Sequence, residues 1–187
     1  FTALRAFADT VPWATCEWKP LKADAARVVD GPEVWRDLVL KPGIGWGHCP
    51  MTEFDIRPED RPDGGPLPSF LYSPGKAELR TTPTFHVDYH QPGRFEVKVD
   101  SISALARLRI LVDGTVALDK TLSAKPPTEP GATPEYESTE FIQQYGIHQA
   151  RFNKSYGIDV PAGAHTIVLE VTEGDWLNVA EYVLTGY

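Results

Sequence analysis

The stretch that decides the fold is VPAGAHTIVLEVTEGDWLNVAEYVLTGY, from Val160 to Tyr187. Residues 166–172 alternate between apolar and more polar side chains, which is the period-two pattern of a β-strand with one apolar face. Gly174 and Asp175 predict a tight turn, and Trp176 opens a closing strand after it. The chain is therefore predicted to end in β-structure, with a large aromatic ring at the rim of a sheet.

The amino-acid composition also predicts β-structure. The chain has 187 residues, of which 17 are proline and 15 glycine, and 42% are apolar. This mixture favours sheet turns over long helices and suits one domain with an extension. The sequence predicts an all-β or β-dominated domain.

Charge and hydropathy argue against two kinds of partner. The formal net charge is -8 and no run of Lys or Arg reaches three residues, so nucleic acid is not an expected partner. No uninterrupted apolar stretch approaches the ~18 residues of a membrane span, so no membrane is expected either. Phe1 does not begin a signal peptide, and the start of the chain resembles a cut edge.

Strand-like runs follow one another quickly from Ser69 onward. They read SFLYS, TFHVDYH, RFEVKVDSIS, ALARLRILVD, TVALDKTLS, SYGIDV, HTIVLEV and WLNVAEYVL. This number of runs predicts a jelly-roll β-sandwich of about eight strands over residues 69–187. Asp113 and Gly114 predict a two-residue hairpin turn, because both residue types tolerate positive φ.

The part before the sandwich, residues 1–68, is predicted to be an irregular extension. Apolar residues at helical spacing predict a short helix over residues 1–11, which Pro12 ends. Segments rich in Pro, Gly and Asp then predict a wrapping segment, with one further short helix around 32–40. Inside the sandwich, a long loop is predicted between Ala124 and Asn153, and loops of this length are often functional.

Three segments resemble a known kind of domain: RLRILVDG (Arg107–Gly114), SYGIDVPAGAHTIVLEV (Ser155–Val171) and GDWLNVAEYVLTGY (Gly174–Tyr187). Together they are similar to the non-catalytic β-sandwich at the carboxyl terminus of some bacterial glycoside hydrolases, including cellulase-like enzymes. The wider relation is to galactose-binding-like jelly rolls and carbohydrate-binding modules. The resemblance covers roughly residues 84–187, and the first twenty residues look like the exit from a barrel catalytic domain.

The resemblance implies an accessory module of a secreted polysaccharide-degrading enzyme. Its expected partners are a polysaccharide or oligosaccharide and a glycoside hydrolase catalytic domain outside this chain. The chain alone is then not an enzyme, needs no cofactor, and works in an extracellular or periplasmic location. The alternative is a structural domain that stabilises the adjoining catalytic domain, with its tryptophans in the interface.

In such modules an aromatic ring and an asparagine before the last strand help to bind sugar, and these roles fall on Trp176 and Asn178. A pyranose presents an apolar C–H face that stacks on an indole, while its hydroxyls pair with an amide. Gln144, Tyr145 and His148 of the long loop are predicted to reach the same rim. In the same loop, Tyr136 and Gln143 are further candidates.

A competing hypothesis is a metal-dependent enzyme that uses His86, Asp88 and His90. On a strand these residues share one face, and two histidines with one carboxylate are the ligand set of many iron or zinc sites. In one extended strand, however, the outer two lie about 13 Å apart, too far for one ion. Phe85, Val87 and Tyr89 also form a better core face, so a solvated strand face is the preferred interpretation.

Two further features leave alternatives open. Sandwich modules of this kind often hold a structural calcium, and aspartates near strand ends could supply its oxygen ligands. These aspartates are Asp100, Asp113, Asp119 and Asp159. Cys16 and Cys49 could form one disulfide in an exported protein, or could be two buried thiols, since their spacing fits no metal or redox motif.

Overall fold

The computed structural model describes residues 37–49, 51–56, 65–128 and 131–187. Within these ranges nearly all regular structure is β, as the sequence predicted. The strands are β1 (Leu38–Leu40), β2 (Pro42–Ile44), β3 (Glu53–Asp55), β4 (Gly65–Pro68), β5 (Phe70–Tyr72), β6 (Thr84–Tyr89), β7 (Gly93–Ser103), β8 (Leu105–Val112), β9 (Thr115–Ser123), β10 (Ser138–Ile142), β11 (Ile147–Val160), β12 (Gly163–Gly174) and β13 (Trp176–Thr185). The helix predicted for residues 1–11 lies outside the described residues.

Two mainly antiparallel sheets form the sandwich, and a short parallel pair of β2 and β4 accompanies them. The six-stranded sheet has the order β1-β13-β7-β11-β10, and β5 pairs with the same β13 that pairs with β1. The five-stranded sheet has the order β3-β6-β12-β8-β9, in which only β3 runs parallel to its neighbour. This arrangement is the predicted all-β jelly-roll sandwich.

The core lies between the two sheets and is built from alternate residues of the long strands. Phe85 of the five-stranded sheet packs against Phe95 and Tyr182 of the six-stranded sheet, with ring centroids 5.3 and 5.1 Å apart. The Tyr182 hydroxyl donates a hydrogen bond of 2.6 Å to the carbonyl of Pro68, so this buried polar group is satisfied. Burial raises the pKa of Tyr182, which stays neutral.

Both predicted turns are present. Asp113 and Gly114 have φ of 49° and 80° and join β8 to β9 as a two-residue hairpin. Gly174 has φ of 93° and ends β12, and Trp176 opens β13. The second turn is a crossover and not a hairpin, because β12 and β13 belong to different sheets.

Two predicted elements are wrong. The loop expected from Ala124 to Asn153 contains β10 and the first half of β11. β10 is an edge strand with mostly exposed side chains, so its sequence carries no alternating pattern. The helix expected around residues 32–40 is contradicted at Leu38–Leu40, which pairs with β13, because sheet pairing overrides a local propensity.

Within the described ranges no helix is long and apolar enough to cross a membrane.

Candidate functional site

The candidate site begins at the first residues of β13. Leu177 and Val179 are buried in the core, so Trp176 and Asn178, which alternate with them, point to the outer face of the six-stranded sheet, away from the other sheet. Asn178 lies opposite Phe70 of β5 on one side and Ser101 of β7 on the other. The closing strand therefore presents its polar and aromatic side chains outward.

The register continues this row across the sheet. Ser101 lies opposite Arg151 of β11, which lies opposite Ser138 of β10. Gln149 and Glu140 form a neighbouring pair on the same face. Residues that are far apart in the chain thus form one polar surface that crosses the strands.

A bulge adds a second polar residue to β7 at this point. Asp100 and the adjacent Ser101 line the same groove, although side chains normally alternate between faces. The register shift between Asn178 and Val179 leaves Asp100 as the extra residue against β13. A bulge of this kind re-aims a side chain, and here it turns the Asp100 carboxylate outward.

These residues line a groove of about 390 Å³, called here the outer groove. Its lining residues are Asp100, Ser101, Ser138, Thr139, Glu140, Gln149, Ala150 and Arg151. Arg151 Nη2 lies 3.3 Å from Asp100 Oδ1, and Ser101 Oγ donates a hydrogen bond of 3.0 Å to Asp100 Oδ2. Among the described residues, the side chains of Asn178, Gln149 and Glu140 have no hydrogen-bond partner, so they are open to a ligand.

An aromatic cluster borders this surface at β5 and β13. Trp46 lies edge-on to Phe70, Tyr72 and Trp176, with centroids 4.8, 5.8 and 5.8 Å away. Trp176 is only 8% exposed and Tyr72 is fully buried, whereas Trp46 is 64% exposed. Trp176 therefore supports the cluster, and Trp46 is the indole that a ligand can reach.

The loop that carries Trp46 is tied to the sheet. Gly47 N donates a hydrogen bond of 3.2 Å to the Tyr72 hydroxyl, and Gly47 has φ of 125°, which favours glycine. Burial raises the pKa of Tyr72, and the bond from Gly47 partly opposes this shift. The tie holds the exposed indole against Trp176 on the outer face of the sheet.

The other predicted ligand residues lie at the same end of the sheet as Trp176, but on its opposite edge and away from the aromatic cluster. Gln144 and Tyr145 are in the turn between β10 and β11, at the far side of the sheet from Trp46, and Tyr145 is 66% exposed. His148 lies two residues before the buried Ala150, which places it on the inner face, with its ring 5.0 Å from that of Phe141. The structure thus separates His148 from the outer groove.

Sequence reasoning missed Trp46 and the outer groove. The signal for Trp46 was weak but present, since an indole between two glycines in GIGWGH cannot easily be buried by its own loop. The groove had no such signal, because it depends on the pairing of β7, β10 and β11.

The histidine strand forms no metal site among the described residues. His86 and Asp88 lie on the exposed face of β6 and the exposed His90 directly follows the strand, while Phe85, Val87 and Tyr89 are buried, which agrees with a solvated strand face. The His86 Nε2 atom lies 2.8 Å from Glu53 Oε2 of β3. In the described part of the chain no group of three His, Cys, Asp or Glu residues could hold a metal ion, so the structure gives no support to the metal-dependent enzyme.

The aspartates considered for calcium do not converge either. Each has a separate partner: Asp100 pairs with Arg151, Asp113 with His165, Asp119 with Arg107, and Asp159 with Arg94. Among the described residues these four aspartates do not form a common group of oxygen ligands, and the possible structural calcium stays a prediction.

Cys49 has a free, buried thiol, which agrees with one of the two alternatives considered for the cysteines. Its Sγ atom lies 3.2 Å from the carbonyl oxygen of Met51. Cys16 lies outside the described residues.

No family model and no curated protein matches the chain. Solved structures similar to it include a cycloisomaltooligosaccharide glucanotransferase from Paenibacillus sp. complexed with cycloisomaltoheptaose, at 15% identity and a TM-score of 0.31. The insecticidal delta-endotoxin Cry8Ea1 from Bacillus thuringiensis matches at 13% identity and a TM-score of 0.24. Each match covers 56% of this chain, and 13% and 17% of the other chain respectively. Likenesses this weak carry no inference about function.

Proposed function

We propose that this chain is a carbohydrate-binding accessory module that holds a glycan on the outer face of its six-stranded sheet. The single observation that carries the proposal is the exposed Trp46, fixed by the aromatic cluster on the same sheet face as the polar outer groove. The chain itself performs no catalysis in this proposal. It serves a secreted polysaccharide-degrading enzyme, outside the cytoplasm, by keeping the enzyme near its substrate.

The two halves of the site match the two sides of a sugar ring. The face of Trp46 offers an apolar platform for the C–H face of a pyranose, and three buried or half-buried rings hold that platform in place. The Asn178 and Gln149 amides can each both donate to and accept from sugar hydroxyls. An exposed indole beside unpaired amides is therefore suited to recognise a polyhydroxylated ligand.

The test compares two exposed aromatic residues on opposite faces of the sheet. Trp46→Ala should abolish retention in affinity electrophoresis on a panel of cellulose derivatives, mannan and xylan. Phe141→Ala is the matched control, because Phe141 is 54% exposed but points to the inner face. Its retention should equal that of the wild type. Absence of retention of folded wild-type protein on every polymer would refute the binding role.

A second role is favoured by the exposed Phe141 ring. Phe141 and the nearby Tyr145 are both strongly exposed at the same end of the sheet, and grouped apolar side chains of this kind, unlike a single one, are a feature of interfaces between domains. In this role the module stabilises an adjoining glycoside hydrolase domain. Phe141→Ala should then lower the melting temperature of the attached hydrolase, whereas Trp46→Ala should leave it unchanged.

A further inference from the structure

We infer that the outer groove takes a single, uncharged glycan chain several residues long, which lies across the strands from Trp46 towards Glu140. This inference rests on the proposed function and adds the class of ligand. It follows from the length of the site, from its charge and from the presence of one exposed indole in the aromatic cluster.

The length follows from the register. On the outer face, Tyr72 lies on β5 under the Trp46 ring and Trp176 lies on the neighbouring β13. β7 comes next, followed by β11 with Gln149 and by β10 with Glu140. The path from β5 to β10 crosses four strand intervals, or about 19 Å. One monosaccharide cannot span this distance, so the ligand that makes every contact is an oligosaccharide.

The shape of the site argues for one chain and not for a crystalline surface. In the aromatic cluster Trp46 is strongly exposed, while Tyr72 and Trp176 are buried beneath it. Beyond the cluster, polar side chains line a concave surface. A separate glycan chain can lie in a concave groove, whereas the flat face of a crystalline polymer cannot enter it, so the shape suits one chain.

The charge of the groove argues for an uncharged ligand. Asp100 is neutralised by Arg151 at 3.3 Å, but the Glu140 carboxylate has no partner among the described residues. The whole chain adds a formal net charge of -8. A uronic acid or sulfated sugar next to Glu140 would meet an unpaired like charge, which is a common way of rejecting the wrong ligand. Glu140 is thus inferred to determine specificity.

The test has two arms and uses the whole chain. In the first arm, calorimetry follows binding of cello- and manno-oligosaccharides from the monosaccharide to the hexasaccharide. Affinity should rise by about tenfold or more with length and then level off once the groove is filled. If a monosaccharide binds as tightly as the hexasaccharide and Trp46→Ala abolishes that binding, the inference of an extended site is overturned. The proposed function would remain intact in that case.

The second arm compares the best hexasaccharide with its form carboxylated at C6. The wild type should prefer the neutral ligand, and Glu140→Gln should reduce this preference several-fold, measured as the ratio of the two affinities within each variant. Glu78→Gln removes the same charge from an exposed residue outside the groove and should leave the preference unchanged. Equal binding of both ligands by the wild type, or an unchanged preference in Glu140→Gln, would overturn the inference about charge. If no glycan binds at all, the proposed function itself fails.

Discussion

At the scale of single residues, the two tryptophans of the aromatic cluster differ in what they contribute. Trp176 is 8% exposed and packs against Trp46 and Phe70, so its main effect is on stability. Trp46 is exposed on the same cluster, so its main effect is on binding. The contribution of Trp176 to stability and that of Trp46 to binding can therefore be measured separately.

Trp176→Ala should lower the free energy of unfolding by about 3–5 kcal/mol, because it leaves a cavity in a packed cluster. Trp46→Ala should change it by less than about 1 kcal/mol, because the ring is mostly in solvent. Urea denaturation followed by circular dichroism measures both. Equal losses in the two variants would contradict the division of roles.

Gly174 and Gly114 allow a sharper comparison at single residues. Both have positive φ, but a Cβ at Gly174 would lie 1.8 Å from the carbonyl oxygen of Leu105, whereas a Cβ at Gly114 meets nothing within 4 Å. Gly114→Ala should therefore cost about 1–2 kcal/mol from backbone strain alone. Gly174→Ala adds a backbone clash at the crossover between the sheets and should cost several kcal/mol more or prevent folding. Similar denaturation midpoints for the two variants would show that the crossover can shift to accept a side chain.

At the scale of elements, the sequence predicted what local chemistry decides. The Asp113–Gly114 hairpin and the long strands β7, β8 and β12 carry their own turn residues and alternation, and the structure confirms them. β10 could not be predicted, because it forms only by pairing with β11 and its exposed side chains show no pattern. The strands before residue 69 were missed for the same reason, since β1 depends on the distant β13.

The residues of the site also divide into those that a local sequence pattern predicts and those that depend on distant contacts. Trp176 and Asn178 were predicted at the rim, and the alternation of β13 places both on the outer face. The position of Trp46 above Trp176 depends on a tie between Gly47 and Tyr72, which no local pattern reveals. The outer groove needs three strands in register and a bulge at Asp100, so its residues could not be grouped from the sequence.

A charged ladder joins β8 and β9 on the five-stranded sheet and makes stability depend on pH. Hydrogen bonds from Arg107, and then from Arg109, hold the pKa of Asp119 below its ordinary value. The unfolded chain therefore binds this proton more readily than the folded one. The stabilisation is complete above about pH 5 and is lost as the pH falls through the folded-state pKa.

Asp119→Asn should thus be less stable than the wild type at neutral pH and lose less stability on acidification. The measurement is the free energy of unfolding from urea titrations across the acid range. Asp88→Asn is the control for the change in net charge, because Asp88 is exposed and its carboxylate has no partner among the described residues. A wild-type acid slope retained in Asp119→Asn would show that other carboxylates account for it.

At the scale of the whole molecule, the net charge and the proposed ligand lead to one expectation about salt. A chain with a formal net charge of -8 repels anionic polymers over about a Debye length, which is ~10 Å at moderate salt. Stacking on Trp46 and hydrogen bonds to Asn178 and Gln149 involve no net charge on the ligand, so salt should not screen them. Retention on a neutral polysaccharide should therefore change by less than about twofold between low and high ionic strength. Binding that weakens steeply with salt would mean that charge, and not the aromatic platform, holds the glycan.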